Sequence, residues 1–259
     1  MNSGVILSPP DTRDYTVAAV LPSVTLPPEV RLDSKLLSIR DQGWWPVCVA
    51  KSGASIMSAG YGLELSSVYL YAKCKAIDGI PDLPGTHPRV AMKIMHQQGC
   101  CLNQMLPYNM MNDPLPRITS LHDLEAEQRK IGAYARAQSL TDIKLALANG
   151  KFLMGVLLVG DNFMNYTGGE VIGPPTGTLH GYHAIVVCGY NDQRKALRIA
   201  NSWGRWGDNG FAWLSYDVLA QALHWPEAWV VGINRPKTAE EIYPDRIFRE
   251  QRRFLKKNS

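Results

Sequence analysis

Gln42-Gly43-Trp44-Trp45-Pro46-Val47-Cys48-Val49-Ala50-Lys51-Ser52 reads as a loop that feeds a helix. Gly43 and Pro46 are turn formers, and the run from Val49 to Ser58 has few helix breakers and no acidic side chain. Gly60 and Gly62 then supply stop signals. Cys48 therefore falls in the first turn, near the positive end of the helix dipole, which favours the thiolate over the thiol. The thiolate is the nucleophilic form, so position makes Cys48 a candidate. Taken alone, the stretch reads equally as a buried free cysteine of the core.

A nucleophilic cysteine needs a base, and the base needs an orienting partner. Tyr182-His183-Ala184-Ile185-Val186-Val187-Cys188-Gly189-Tyr190 puts a histidine at the start of a β-favouring run that ends in a turn. Arg198-Ile199-Ala200-Asn201-Ser202-Trp203-Gly204 and Trp206-Gly207-Asp208-Asn209-Gly210-Phe211 follow. His183 lies 135 residues after Cys48, and Asn201 a further 18 on. That order and spacing are those of papain-like proteases. The chain resembles the papain family of cysteine peptidases, in its bacterial and phage-type branch. Further landmarks occur in order: Asp11-Thr12-Arg13-Asp14-Tyr15, the Gln42 to Cys48 spacing, Ser67-Val68-Tyr69-Leu70-Tyr71, Gly99 before Pro107-Tyr108, and Leu145 to Lys151. Together they span roughly residues 11–233.

The resemblance implies roles residue by residue. Cys48 is the nucleophile, paired as a thiolate with protonated His183, and Asn201 holds the imidazole. Gln42 and the Cys48 backbone N–H form an oxyanion hole. Trp203 matches the indole that shields the His–Asn contact, with Trp206 behind it. Gly85 matches the glycine along which substrate backbone lies, although as a loop glycine it needs no function. Tyr182 is the one wall residue expected beside the scissile bond. His180 is the competing base, but only His183 opens the Ala-Ile-Val-Val strand. The chain also departs from the family signature, which has a cysteine three residues before the nucleophile, glycine and a small residue between, and an aromatic after it. Here Trp45, Pro46, Val47 and Val49 occupy those positions. The substitution removes a disulfide partner and, at Pro46, a backbone donor beside the cleft, but no catalytic group. Trp44 and Trp45 read either as a substrate-facing rim or as packing.

At 259 residues, with 46% hydrophobic and 19% charged residues, the chain suits a globular protein of one domain or two closely packed lobes. The longest apolar run, Phe152 to Val159, is far short of a membrane span. Met1 to Leu7 lacks the basic start and apolar centre of a secretory signal. The expectation is a cytoplasmic, virion-associated or leaderless-exported protein. Five cysteines (Cys48, Cys74, Cys100, Cys101 and Cys188) make an odd set without a dense framework, which fits a reducing compartment. No paired CxxC motif points to zinc, and no cofactor is expected. Residues 245–259 carry six Lys or Arg against Asp245 and Glu250, and the rest of the chain has 21 charges of each sign. A neutral body argues against a nucleic-acid enzyme.

The expected fold is α+β, a papain-like two-lobe arrangement with the cysteine on one lobe and the histidine on the other. Residues 1–27 form a Pro-rich extended arm, packed on the body or lying near the cleft and limiting access. Residues 28–118 form a mainly helical lobe, with helices at about 48–60, 66–76 and 87–98, the last capped by Thr86 with Pro88 in its first turn. Residues 119–236 form a mainly β, antiparallel barrel-like lobe with strands at about 130–137, 151–159, 183–190, 196–202, 210–216 and 227–234. Ser120 with Asp123, and Ser139 with Asp142, open two short helices there. Met92, Met95, Met105, Met110 and Met111 read as core filling. Residues 237–259 form a basic tail that is solvated or self-docked by default, or else a handle for a protein partner or assembly such as a virion. The expected activity is hydrolysis of polypeptide substrates by a cysteine peptidase. The alternatives are a papain-fold structural component and a thiol acyltransferase or deamidase using the same residues.

Overall fold

The computed structural model describes residues 4–233; the expected tail at 237–259 lies outside them. The arm contains one helical turn, α1 (Val17–Val20), and three helices follow: α2 (Cys48–Tyr61), α3 (Ser67–Lys75) and α4 (Pro88–Gln97). These are the three helices expected, within a residue or two. α2 ends where Gly62, at φ 70°, donates its N–H to Ser58 O. That left-handed residue is a favoured stop because glycine carries no Cβ penalty.

α2 is buried on nearly all sides, from Cys48 through Ala54 and again from Ile56 to Ser58. Small residues make this possible. A methyl group built on Gly53 would stand 2.9 Å from Leu70 of α3 and 3.1 Å from Met95 of α4. One on Gly60 would stand 2.4 Å from Ile233. Met92 and Met95 fill the core between these helices, whereas Met110 is exposed. α4 begins with Pro88 at its first position, but Thr86 does not cap it; its hydroxyl donates to Asp78 Oδ2 at 3.0 Å, and His87 stands at the cap position.

Beyond Tyr108 the chain makes α5 (Ser120–Ala126), α6 (Leu140–Ala148) and the single turn α7 (Asp161–Met164). The α5 capping box sits one residue earlier than expected, between Thr119 and His122, because Asp123 is engaged by Tyr69 Oη and Lys73 Nζ. Ser139 caps α6 by accepting from the Asp142 N–H, as expected.

The strands are β1 (Glu29–Arg31), β2 (Ile131–Arg136), β3 (Leu153–Gly160), β4 (Val171–Ile172), β5 (Leu179–Asn191), β6 (Ala196–Ala200), β7 (Phe211–Ser215) and β8 (Glu227–Ile233). They form one sheet in the order β2-β8-β3-β5-β6-β7-β4, with β1 added beside β5. All pairings are antiparallel except β4 with β7. The sheet is not closed: its path among the described residues ends at β2 and β4, which corrects the barrel-like expectation. The two-residue β4 and three-residue β1 gave no alternating pattern long enough to read. β5 lies at the centre, bonded to β3 and β6, and packs on α2. That contact positions the site. All five cysteines are buried free thiols. Among the described residues no helix is long and apolar enough to cross a membrane.

Candidate active site

Cys48 is the first residue of α2, and no described side chain caps that helix. Its first-turn N–H groups therefore have no intrahelical partners. Opposite, β5 carries His183, with its neighbour Ala184 placing a backbone N–H on the Cys48 sulfur. The sequence-distant cysteine and histidine segments thus meet where α2 packs on the central strand.

His183 Nε2 donates to Asn201 Oδ1 at 2.8 Å, and both residues are buried. The same carboxamide oxygen accepts the Ser202 N–H at 2.8 Å, and the Asn201 N–H is held by Gly210 O at 2.8 Å. The orienting oxygen is therefore fixed from two sides. The Trp203 ring lies 4.5 Å from the imidazole at 34° and covers that contact. Phe163 of α7 stands edge-on to Trp203 at 5.6 Å and stacks on Trp206 at 4.6 Å, while Trp206 Nε1 donates to Phe163 O. Phe163 was invisible in the sequence, since nothing in a four-residue turn distinguishes it from any core phenylalanine.

Gln42 is 2% exposed. Its backbone N–H donates to Ser202 O at 2.8 Å, and Ser202 Oγ donates to its Oε1 at 2.7 Å. Its Nε2 donates to Trp45 O at 2.9 Å, which uses one amide hydrogen and leaves the second. Tyr108 Oη donates to Gln42 O at 2.6 Å. Nothing in the Asn201-Ser202-Trp203-Gly204 run marks Ser202, yet its hydroxyl, with Trp45 O, orients the glutamine amide.

Gly4 of the arm lies on the sulfur. A methyl group built on Gly4 would stand 2.8 Å from Cys48 Sγ and 2.6 Å from Pro46 O. Opposite, one built on Gly85 (φ 85°) would stand 2.6 Å from Gly4 O, so both glycines are needed for this approach. Val5 forms a parallel bridge with Thr86, whose N–H donates to Gly4 O while its carbonyl accepts from Ile6 N–H. His87 Nδ1 faces the Ile6 and Leu7 carbonyls at 3.0 and 3.1 Å. The Ser8 N–H donates to the buried carboxylate of Glu227, and Ser8 Oγ accepts from Arg89 N. Arg89 binds the Pro9 carbonyl and the Asp14 carboxylate, and α1 buries Val17 completely. The arm is packed on the body and also lies across the cleft.

This cover changes the charge state. Burial pushes the Cys48 thiol up to about 11, against the opposing pull of backbone hydrogen bonds from Ala184 and Gly4. Burial also pushes His183 down to about 4, although its bond to Asn201 opposes this. With the arm in place the couple is neutral at neutral pH, so the expected thiolate–imidazolium pair is not the favoured form. Desolvation outweighs the helix dipole and the hydrogen bonds.

The structure brings Gln42, Cys48, His183, Asn201 and Trp203 together, with Gly85 across the arm. Tyr182 precedes His183 on β5, and alternation places its side chain on the opposite face from the imidazole. His180 pairs with Asp161 at 2.7 Å.

The family profile described as papain family cysteine protease matches residues 29–223. The chain belongs to the papain family of cysteine proteases. Its relatives include Peptidase 1 of Euroglyphus maynei, 26% identical over 228 residues that cover 80% of this chain and 67% of the mite protein. An uncharacterized peptidase C1-like protein of Acanthamoeba polyphaga mimivirus is 24% identical over 181 residues. That alignment covers 64% of this chain but 58% of the viral protein. Among solved structures, xylellain, a cysteine protease from Xylella fastidiosa, superposes with a TM-score of 0.77 at 25% identity. The match covers 89% of this chain and 96% of xylellain. ProCathepsin B of Trypanosoma congolense shares the fold at a TM-score of 0.72 and 18% identity, covering 90% and 87% of the two chains. The papain-family two-lobe fold accounts for a cysteine helix packed against a histidine strand.

Proposed function

We propose that this chain is a cysteine endopeptidase held in a covered state by its own arm, and that Cys48, His183, Asn201 and Gln42 carry the chemistry. The observation that carries the reading is Gly4 seated on the sulfur of Cys48, with the His183–Asn201 pair on the adjoining strand. Once the arm leaves, water reaches the couple and removes the desolvation that keeps both groups neutral. The proton then passes from sulfur to imidazole, and the Cys48 thiolate attacks the peptide carbonyl carbon. Charge collects on the carbonyl oxygen, where the free amide hydrogen of Gln42 and the Cys48 N–H receive it. Collapse breaks the C–N bond as His183 gives its proton to the leaving amine. His183 next takes a proton from water, the hydroxide attacks the thioester, and the C–S bond breaks with the acid as product.

A single full-length variant tests this. Leucine at position 4 cannot fit between Pro46 O and the sulfur, so Gly4→Leu expels the arm. Gly4→Leu is expected to alkylate at Cys48 and to cleave a peptide library faster than the parent, by roughly tenfold for each 1.4 kcal/mol of docking lost. Cys48→Ala abolishes both signals. Labelling of Cys48 with exchange of amides onto an added amine, and no cleavage, replaces the peptidase by a transferase. A Gly4→Leu protein that is folded yet not labelled at Cys48 makes the chain a structural component.

A further inference from the structure

α2 carries one charged side chain into the core. Lys51 stands among the buried residues Cys48 to Ala54 and is itself 3% exposed. Lysine is almost never buried this far without a partner carboxylate. Yet no ion pair among the described residues involves it. Its Nζ meets the Tyr108 ring instead, 2.9 Å from the centroid. The negative face of the ring attracts the ammonium, most strongly where water is excluded.

Tyr108 continues the path towards the reaction centre. Its Oη donates to the backbone carbonyl of Gln42 at 2.6 Å, and the same carbonyl accepts the Trp45 N–H at 3.2 Å. Tyr108 therefore braces the turn from Gln42 to Trp45. An ammonium draws electron density from the ring and makes the phenol a stronger donor, so the two contacts reinforce each other. The charged groups facing Lys51 lie on the segment entering this turn and just beyond α2. Asp41 and Glu64 favour its ammonium form and Arg40, tied to Glu64 at 2.8 Å, opposes it. Burial, then Arg40, hold Lys51 down to about 7, while burial pushes Tyr108 up and keeps its donor proton in place. The brace is thus charged on the acid side of neutrality and uncharged on the alkaline side.

We propose that Lys51 is a positioning residue for the oxyanion-binding amide: its ammonium holds the Tyr108 ring, Tyr108 holds the Gln42 turn, and the free amide hydrogen of Gln42 is thereby kept aimed at the reacting carbonyl oxygen. The inference rests on the endopeptidase reading. It gives an unpaired lysine in the core a purpose.

The test is kcat against pH for one peptide, cleaved by the full-length Gly4→Leu protein. Beyond the losses common to every variant, kcat is expected to fall about fivefold through pH 7 with KM little changed, a fraction of the roughly 10²–10³ lost with an oxyanion donor itself. In Lys51→Met the step disappears and kcat stays at the lower level. Lys51→Arg remains charged and stays at the upper level. Tyr108→Phe keeps the ring and the cation, loses the bond to Gln42 and loses the step with it. If the Arg side chain is too long to fold, Lys51→Met and Tyr108→Phe decide. A packing role alone would change kcat evenly across pH. In Gln42→Ala, adding Lys51→Met should cost nothing further. A step that persists in Lys51→Met, or an equal loss from Lys51→Met with and without Gln42, overturns the positioning role. Failure of Gly4→Leu to cleave any peptide counts against the endopeptidase reading. The brace is then read from the NMR signals of the Gln42 side-chain amide, assigned by their loss in Gln42→Ala. Signals that move through about pH 7 in Gly4→Leu and not in Lys51→Met uphold it. Signals that move alike in both, or in neither, overturn it.

Discussion

Ser202 ties two parts of the site to each other, since its carbonyl and hydroxyl both serve Gln42 while its N–H serves the Asn201 oxygen. Replacing it with alanine leaves the Gln42 amide held by its Nε2 bond to Trp45 O without the bond to its oxygen. In the Gly4→Leu background, Ser202→Ala is expected to lower kcat by roughly five- to tenfold, the value of about one hydrogen bond, with KM little changed. Gln42→Ala removes the donor itself, and kcat should fall by about 10²–10³. Steady-state kinetics on one peptide checks both, and an equal loss from the two substitutions would remove the positioning role of Ser202. Lys51 poses a different question. It lies one turn beyond Cys48, 3% exposed, with Nζ 2.9 Å from the centroid of the Tyr108 ring. Burial, then Arg40, hold it down to about 7 from an ordinary 10.5, while Asp41 and Glu64 pull it back. Between those values the unfolded chain binds more protons, so this group's contribution to stability rises with pH from about 7 to 10.5 and is lost below. Lys51→Met should accordingly raise Tm at pH 6–7, and the advantage should shrink towards pH 10; thermal melts across that range decide it.

At the scale of elements, α2 must be thin to carry its first residue into contact with the central strand. Gly53 and Gly60 let α3, α4 and β8 close on it. Gly53→Leu is expected to destabilise the fold by about 1–3 kcal/mol through overpacking, measured by denaturant unfolding. The arm is an element too, clamped by backbone bonds at Thr86 and by Arg89 with Asp14. Helix α2 was readable because a run without breakers lies between Pro46 and the Gly60 and Gly62 stops, and α4 because Pro88 marks its entry. The arm's course was not readable. Extended chain that pairs through two or three backbone bonds leaves no periodic trace, and glycine at position 4 records only that a side chain is missing.

For the whole molecule, the covered and uncovered states differ in the water around one imidazole. His183 is held near 4 under the arm, against an ordinary 6.5. In the parent chain the proton that charges His183 on uncovering comes from Cys48, so both states hold one proton on the pair and docking is indifferent to pH in that window. In Cys48→Ala the proton must come from solvent, so between those values the uncovered state binds more protons and acidification from pH 6.5 towards 4 favours uncovering. Phe163, Trp203 and Asn201 are the side chains against the ring. Hydrogen exchange at residues 4–8 should therefore speed up as pH falls through that window in Cys48→Ala and stay level in the parent, after correction for intrinsic rates. Unchanged protection in Cys48→Ala would mean that arm docking is indifferent to the charge of His183.

The order and spacing of Gln42, Cys48, His183 and Asn201 determined the family and the two-lobe plan, because chemistry requires those groups and a chain that lacks any of them leaves a different pattern. Whether the couple stands charged or neutral was decided by tertiary structure alone. So were the open sheet, the hydroxyl behind Gln42 and the ammonium on the Tyr108 ring. Each depends on which distant backbone excludes water from a given atom, and desolvation belongs to the assembled surface rather than to any stretch of residues.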